Sequence, residues 1–142
     1  MKISAKTEYA CIAMLELARR YGSGEPVRIR SIAAEHGVPA RFLVQILLQL
    51  KGAGLVSSTR GAAGGYQLVK PPDSISLGEV MSVVEGADEP ITSSASPDSI
   101  YAKVLQSAWQ EVADVQRQAL QSLTFADLVE RARQTNENMY YI

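Results

Sequence analysis

Residues 54–68 read Gly-Leu-Val-Ser-Ser-Thr-Arg-Gly-Ala-Ala-Gly-Gly-Tyr-Gln-Leu and place a glycine-rich stretch between two short apolar runs. The runs Leu55–Ser58 and Gly65–Val69 predict two strands. The segment Arg60–Gly65 between them consists almost wholly of glycine and alanine. This pattern predicts a hairpin with a longer, flexible loop, in which Gly64 and Gly65 supply positive φ angles.

Two helices are predicted directly before this hairpin. The first spans about residues 29–36 and stops at Gly37, a residue suited to the position after a helix end. The second runs from Pro39, which fits a first helical turn, to Lys51. Ala33 is small and permits the two helices to approach closely. The apolar residues that face inward are Ile32, Val38, Leu43 and Ile46. The pattern predicts a helix-turn-helix followed by a wing, with His36 at a place where an apolar residue is more usual.

The second of these helices has an exposed polar face that suits DNA. Arg41 can reach a phosphate or a guanine, Gln45 can pair with adenine, and Val44 can only make an apolar contact with a thymine methyl group. Arg60 can enter a minor groove, whose negative potential attracts arginine. The candidate DNA-binding residues are Arg28, Pro39, Ala40, Arg41, Val44, Gln45, Arg60, Gly61 and Gly64.

The charge of the chain is divided unequally between its halves. Residues 1–70 hold ten Lys/Arg and four Asp/Glu, a net charge of +6, whereas residues 71–142 hold four and eleven, a net charge of −7. A basic half joined to an acidic half predicts that the first half faces a polyanion. We expect a cytoplasmic protein that is not a membrane protein, because no apolar run reaches roughly 18 residues and the first residues lack the apolar core of a signal peptide.

Cysteine and histidine occur once each, as Cys11 and His36. One cysteine forms no internal disulfide, and the two residues together cannot build a closed four-ligand metal site. No paired-carboxylate motif and no glycine-rich phosphate loop is present, so the sequence does not predict an enzyme.

The other predicted elements are helices. One spans residues 4–21, and Ser76-Leu77-Gly78-Glu79 predicts a capping box that opens a helix to Glu85. A polar linker follows at residues 86–97, then a long helix at 98–122 and a last helix from Thr124 through Arg133, before a polar stretch at 134–138 and an apolar end at 139–142. The fold class is therefore mostly α with a small β-hairpin wing, divided into a winged helix-turn-helix domain (1–85), a linker (86–97) and a dimerisation helix with a C-terminal helix (98–142).

The long helix carries a continuous apolar stripe that needs a partner surface. Because the first 85 residues already form a compact unit, a second copy of the chain explains the stripe better than packing on the same domain. The candidate dimerisation residues are Ile100, Tyr101, Val104, Leu105, Ala108, Trp109, Val112, Val115 and Ala119.

Three stretches of the sequence resemble the Rrf2 family of winged-helix transcription regulators: residues 4–10, residues 42–47 and, most specifically, residues 54–68. The resemblance spans about residues 1–133. It implies a homodimer on a pseudo-palindromic DNA operator, with the long helix crossing its mate. In the cluster-assembly regulator of the family a glutamate reads bases where this chain has Val44, which implies a different operator here.

The resemblance also bears on cofactors, because some members of the family hold an iron–sulfur cluster through three cysteines before the long helix. Residues 86–106 contain no Cys or His, and Lys103 and Gln106 stand where the third cysteine and a histidine ligand would be. We therefore expect a regulator without a cofactor or metal, controlled by a small molecule or a protein partner at the linker and the start of the long helix. Two alternatives stay open: a cluster held through unusual ligands such as Glu8 and Cys11, and a winged-helix module that binds protein instead of DNA.

Overall fold

The computed structural model describes residues 1–139, and the predicted apolar end falls partly outside them, since residues 140–142 are not described. The described residues form six α-helices and one two-stranded antiparallel hairpin, which confirms the predicted fold class. A short 3-10 turn at Pro72–Ser74, which the sequence pattern did not predict, joins the hairpin to the fourth helix. In chain order the elements are α1 (Ala5–Arg19), α2 (Ile29–His36), α3 (Ala40–Gly52), β1 (Val56–Thr59), β2 (Gly65–Leu68), α4 (Leu77–Glu85), α5 (Ile100–Ser122) and α6 (Phe125–Met139).

Helix α1 forms the centre of the core. It begins after Ser4, whose hydroxyl accepts a hydrogen bond from the Thr7 N–H at 3.1 Å and so caps the helix. Its inner face consists mostly of small or flexible side chains that are completely or almost completely buried (Ala10, Ala13, Met14 and Leu17). Because Ala10 and Ala13 are small and Met14 and Leu17 fill the remaining space, α2, α3, α4, α6 and β2 all pack against this one helix.

The predicted helix-turn-helix is confirmed. Helix α2 ends at Gly37, whose φ of 66° lies in the left-handed region that glycine adopts without strain. The inward residues predicted from the pattern are 3 % exposed or less (Ile32, Val38, Leu43 and Ile46). Pro39 lies one position earlier than predicted: it caps α3 with an extended ψ of 126° instead of occupying the first turn.

Strands β1 and β2 form the wing and pair in the register Val56↔Leu68 to Thr59↔Gly65. A third piece of chain joins them, because Val27 and Tyr66 exchange two backbone hydrogen bonds of 2.8 Å. This approach requires glycine at position 65: a Cβ there would lie 2.5 Å from the Val27 carbonyl oxygen. The wing is thus fixed to the segment that leads into α2.

The sequence predicted a positive φ at both Gly64 and Gly65, and at Gly64 this is wrong. Gly65 has a φ of 152°, but Gly64 is absent from the glycines with positive φ. Its requirement is steric, since a Cβ at Gly64 would stand 2.1 Å from the Thr59 carbonyl oxygen. The loop closes tightly enough that no side chain fits at this position.

Helix α4 begins with half of the predicted capping box. The Ser76 hydroxyl accepts a hydrogen bond from the Glu79 N–H at 3.0 Å. The return bond is not made, because the Glu79 carboxylate lies 3.1 Å from the Lys70 ammonium instead. The linker then runs without helix or strand to Ser99, which caps α5 through the Ala102 N–H.

Helix α5 packs against its own chain mainly along α4. Gly78 allows the close approach, because a Cβ there would lie 3.2 Å from the Leu120 Cβ. No residue of α5 is buried. None of the described helices combines the length and the apolar character that spanning a membrane requires.

Helix α6 is longer than predicted, because it continues to Met139 instead of ending at Arg133. The stretch 134–138 was predicted as a polar tail, and it is helical. Arg133 forms ion pairs with Glu130 and Glu137, one turn away on either side, which support this last part of the helix. At its start, Thr124 and Asp127 cap each other through two hydrogen bonds of 3.1 Å.

The first residue of α6, Phe125, is completely buried and belongs to the same apolar core as α1. Its N–H donates to the Ile75 carbonyl at 3.0 Å, and the Leu77 N–H donates to the Leu123 carbonyl at 2.7 Å. These bonds join the end of α5 to the start of α4, so α6 turns back and packs on α1.

We predict that Phe125→Ala lowers the free energy of unfolding by about 3–5 kcal/mol, because it removes a large, fully buried ring from the core. Urea denaturation followed by circular dichroism measures this loss. Val69→Ala is the control, since Val69 is 56 % exposed and its truncation should cost little. Equal, small losses for both variants would show that α6 does not stabilise the core.

Candidate nucleic-acid interface

The outer face of α3 is exposed where the sequence predicted DNA contacts. Ala40, Arg41, Val44 and Gln45 are all exposed, as is Pro39 before the helix. Leu48, one turn beyond Val44, is 56 % exposed and was missed by the sequence interpretation. Its position four residues after Val44 was the signal, because both residues lie on the helix face opposite Leu43, Ile46 and Leu47.

An aromatic pair places Arg41 relative to the core. The Arg41 guanidinium lies 5.1 Å from the centroid of the Phe42 ring, within the range of a cation–π contact. The Phe42 ring in turn lies 6.0 Å from that of Tyr9 on α1, at an angle of 43°. Arg41 is therefore held at the start of α3 through contacts that lead back to α1.

The wing presents Arg60 and Gly61 to solvent at its tip. Gly61 has a φ of 103°, and its carbonyl accepts a hydrogen bond from the Gly64 N–H at 3.0 Å, which closes the turn. Gly64 itself is buried, so it shapes the loop from inside instead of lining its surface.

One contact between α3 and the wing was not expected from the sequence. The Lys51 ammonium donates a hydrogen bond of 2.7 Å to the Ser58 hydroxyl. Lys51 lies in the last turn of α3 and Ser58 lies on β1, so the bond joins the two elements that carry the candidate DNA contacts. Long-range pairs of this kind leave no periodic signal in a sequence.

The basic side chains of this surface have no acidic partners within residues 1–139. The ion pairs of this part of the chain involve Arg19, His36, Lys70, Arg117 and Arg133. Arg28, Arg41 and Arg60 are exposed and belong to none of them. Arg28 precedes α2 and leaves the first N–H groups of that helix without a side-chain cap. The surface therefore offers free cations and free backbone donors, both of which bind phosphate.

The predicted dimerisation residues all lie on α5 and all face solvent in the single chain. Tyr101 is 83 % exposed, Val112 is 66 % exposed and Trp109 is 54 % exposed. Ile100, Val104, Leu105 and Val115 are also among the exposed large apolar residues, and Ala108 and Ala119 are exposed as well. Exposed large apolar residues clustered on one helix in this way are unusual on a monomer.

Comparison with known proteins places the chain in a family. The family model described as "Rrf2: Iron-dependent Transcriptional regulator" matches residues 3–131. The chain belongs to the Rrf2 family. It is 37 % identical over 143 residues to the HTH-type transcriptional regulator CymR of Bacillus subtilis, with both chains covered completely.

Solved structures of the family share its fold. The structure of CymR, the global cysteine regulator of B. subtilis, matches with a TM-score of 0.81 over 92 % of this chain and 98 % of that one. The IscR structure from T. potens matches with a TM-score of 0.77 and 34 % identity over 95 % of this chain and 90 % of that one. These relatives are transcription regulators, as is the Rrf2 family to which this chain belongs.

The family description names iron, but the residues present do not fit an iron–sulfur cluster, which needs thiolates or imidazoles as ligands. The chain has one thiol, Cys11, and burial raises its pKa to about 11, with a further contribution from the Glu85 carboxylate. Gln106, at the position where the resemblance puts a histidine ligand, donates a hydrogen bond of 3.3 Å to the Ile91 carbonyl in the linker. Glu8 is exposed and Cys11 is half-buried, and neither belongs to a group of potential metal ligands among residues 1–139.

We predict that Cys11 reacts slowly with iodoacetamide at pH 8. With a pKa of about 11, roughly one thiol in a thousand is deprotonated at this pH, and only the thiolate is the nucleophile. Mass spectrometry should show alkylation of the folded protein about a hundredfold slower than that of protein unfolded in urea. Similar rates in the two states would contradict a buried, protonated thiol.

Proposed function

We propose that the protein is a sequence-specific DNA-binding repressor that acts as a homodimer on a pseudo-palindromic operator. The observation that carries the proposal is the surface formed by the outer face of α3, the start of α2 and the wing tip, where Arg41, Arg28 and Arg60 have no carboxylate partner within residues 1–139. Helix α3 enters the major groove and the wing lies along the minor groove beside it. Family membership supports this proposal, since the relatives are HTH-type transcription regulators.

Within this interface the residues have different roles. Arg41 and Gln45 hydrogen-bond base edges, and Val44 makes apolar contacts with thymine methyl groups. Leu48 extends that apolar contact along the helix. Arg28, at the start of α2, binds phosphate together with the free N–H groups of the first helical turn.

The test uses DNA from the intergenic region beside the gene and measures footprints and affinity as a function of salt. A dimer that neutralises roughly 6–10 phosphates loses about 10³–10⁵ in affinity between 50 and 200 mM salt. Arg60→Ala should weaken binding and reduce the slope of log affinity against log salt by about 2, one for each chain. Arg131→Ala, an exposed arginine of α6, should leave both quantities unchanged.

A flat salt dependence, or equal effects of the two arginine substitutions, would show that the wing does not contact DNA. No footprint on this DNA under any effector condition would favour the alternative interpretation of a winged-helix module that binds protein.

The dimer proposal rests on the apolar stripe of α5. The stripe is exposed along the length of a 23-residue helix. The opposite side of α5 already packs on α4, where Leu120 of α5 lies against Gly78 of α4. A second copy of α5 packs on the stripe and covers it. The resulting dimer has two-fold symmetry, which matches the symmetry of a pseudo-palindromic operator. Two winged helix-turn-helix domains (residues 1–85 of each chain, here called reading heads) on one dimer also raise affinity, because the second half-site is bound at a high effective concentration.

Val112→Asp should convert the dimer to a monomer. Each copy would bury an unpaired carboxylate in the interface, and an uncompensated buried charge costs about 3–5 kcal/mol, a factor of at least about a hundred in the dimerisation constant. Sedimentation velocity at micromolar concentration gives the oligomeric state. Gln110→Glu is the matched control, because it adds the same charge on the side of α5 that faces α4. A wild-type monomer under these conditions would refute the proposed dimer contact through α5.

Regulation in this proposal needs no iron–sulfur cluster and is carried by a small molecule or a protein partner at the linker. A groove of about 970 Å³ lies between α4, residues 86–91 of the linker and the polar side of α5. Ligand sites have similar volumes. An occupant of this groove would contact both α4 of the reading head and α5 of the dimer contact. It would thereby change the distance between the wings of the two chains.

A further inference from the structure

Glu16 is the one carboxylate that is buried among residues 1–139. It lies on the inner face of α1 and its side chain is 9 % exposed. Burial of a charged group lowers stability unless partners compensate, and an apolar side chain of similar size often serves as well or better. A carboxylate at this place in the core therefore indicates a role other than packing.

Its partners come from two helices. Glu16 Oε2 accepts a hydrogen bond of 2.8 Å from Arg19 on α1, and Glu16 Oε1 lies 3.1 Å from Nε2 of His36 on α2. The Glu35 carboxylate approaches from α2, 4.0 Å from the Arg19 guanidinium. One ligand atom each from Glu16, Glu35 and His36 lies within 4.8 Å of the other two.

We propose that Glu16, Glu35 and His36 bind a divalent transition-metal cation of the Zn²⁺ type, which joins α1 to α2 within the reading head. Imidazole and carboxylate are ligands for such ions, and three protein ligands with water in the fourth position make an open tetrahedral site. This site is separate from the DNA-binding surface and from the groove at the linker.

The spacing of the donor atoms suits this ion. Zn–N and Zn–O bonds of about 2.0–2.1 Å in a tetrahedron put neighbouring ligand atoms about 3.3 Å apart, close to the 3.1 Å between Glu16 Oε1 and His36 Nε2. The exposed Glu35 side chain has the freedom to complete the set. Arg19 occupies Oε2 of Glu16 and leaves Oε1 to face His36, whereas its longer ion pair of 4.0 Å with Glu35 has to open when Glu35 binds the cation.

The charge state of Glu16 agrees with this geometry. Burial alone would raise the pKa of its carboxyl, but hydrogen bonds from Arg19 and His36 outweigh burial and hold the pKa below its ordinary value. The carboxylate is thus ionised at neutral pH and oriented before a cation arrives. The position of His36 also fits a ligand. It lies directly before the Gly37 turn, where a helix-turn-helix more often has an apolar residue, and its ring nitrogen Nε2 faces Glu16 on α1.

The experiment is a titration of the untagged, chelator-treated full chain with ZnCl₂ in a calorimeter, together with the melting temperature with and without the metal. We expect one Zn²⁺ per chain and a higher melting temperature in its presence. His36→Gln and Glu35→Gln should each weaken binding by more than about a hundredfold, beyond the roughly 10–100-fold that loss of an outer-sphere partner costs, and should abolish the rise in melting temperature. Both residues are partly exposed, so the variants should fold.

Two controls separate this site from other sources of metal binding. Cys11→Ser tests the one thiol of the chain, and Glu111→Gln removes an exposed carboxylate of α5. Both should bind Zn²⁺ as the wild type does. The proposal is overturned if the wild type binds no Zn²⁺, if His36→Gln and Glu35→Gln bind it as the wild type does, or if Cys11→Ser abolishes binding; the cluster would then be an ion-pair network only.

Discussion

The close packing of α1 against five other elements is the constraint on which the reading head depends. Ala10 and Ala13 let neighbouring helices approach the α1 backbone, and Met14 and Leu17 fill the space between those neighbours. The helix-turn-helix packs on one side of α1, and α4 and α6 pack elsewhere on it. Any shift of α1 would therefore move α3 relative to the rest of the chain, because dense cores transmit displacement instead of absorbing it.

The wing depends on the same core through backbone contacts. Val27 pairs with Tyr66 on β2, and Gly65 allows the two chains to approach where a Cβ would stand 2.5 Å from a carbonyl oxygen. Lys51 adds a side-chain bond from α3 to Ser58 on β1. The angle between α3 and the wing is thus set by contacts to both strands of the hairpin, at the paired residues Ser58 and Tyr66, which suits the proposed contact with two grooves at once.

Much of this could be predicted from the sequence because local signals agree with the global fold. Gly37 and the inward positions around it gave the helix-turn-helix, and a loop rich in glycine gave the wing. Features that depend on distant partners could not be predicted. Phe125 looks like an ordinary helix start, and only the fold shows it in the core. Gly64 was assigned a positive φ, whereas the fold shows a steric requirement that composition does not reveal. The DNA-facing and dimerising roles of individual residues remain predictions.

In the proposed function, contacts that hold the linker and the end of α4 to α1 and α5 give a route between a signal and the reading head. Glu85 closes α4, and its carboxylate accepts hydrogen bonds from Ser4 and Thr7 at the start of α1, which also lower its pKa. Gln106 on α5 holds the carbonyl of Ile91. A ligand that pulls the linker toward either end must therefore strain α1 at its first turn or α5 near its start. Since α1 positions α3 and α5 carries the proposed dimer contact, we propose that both responses change how two reading heads meet DNA, although neither alters a residue that would touch it.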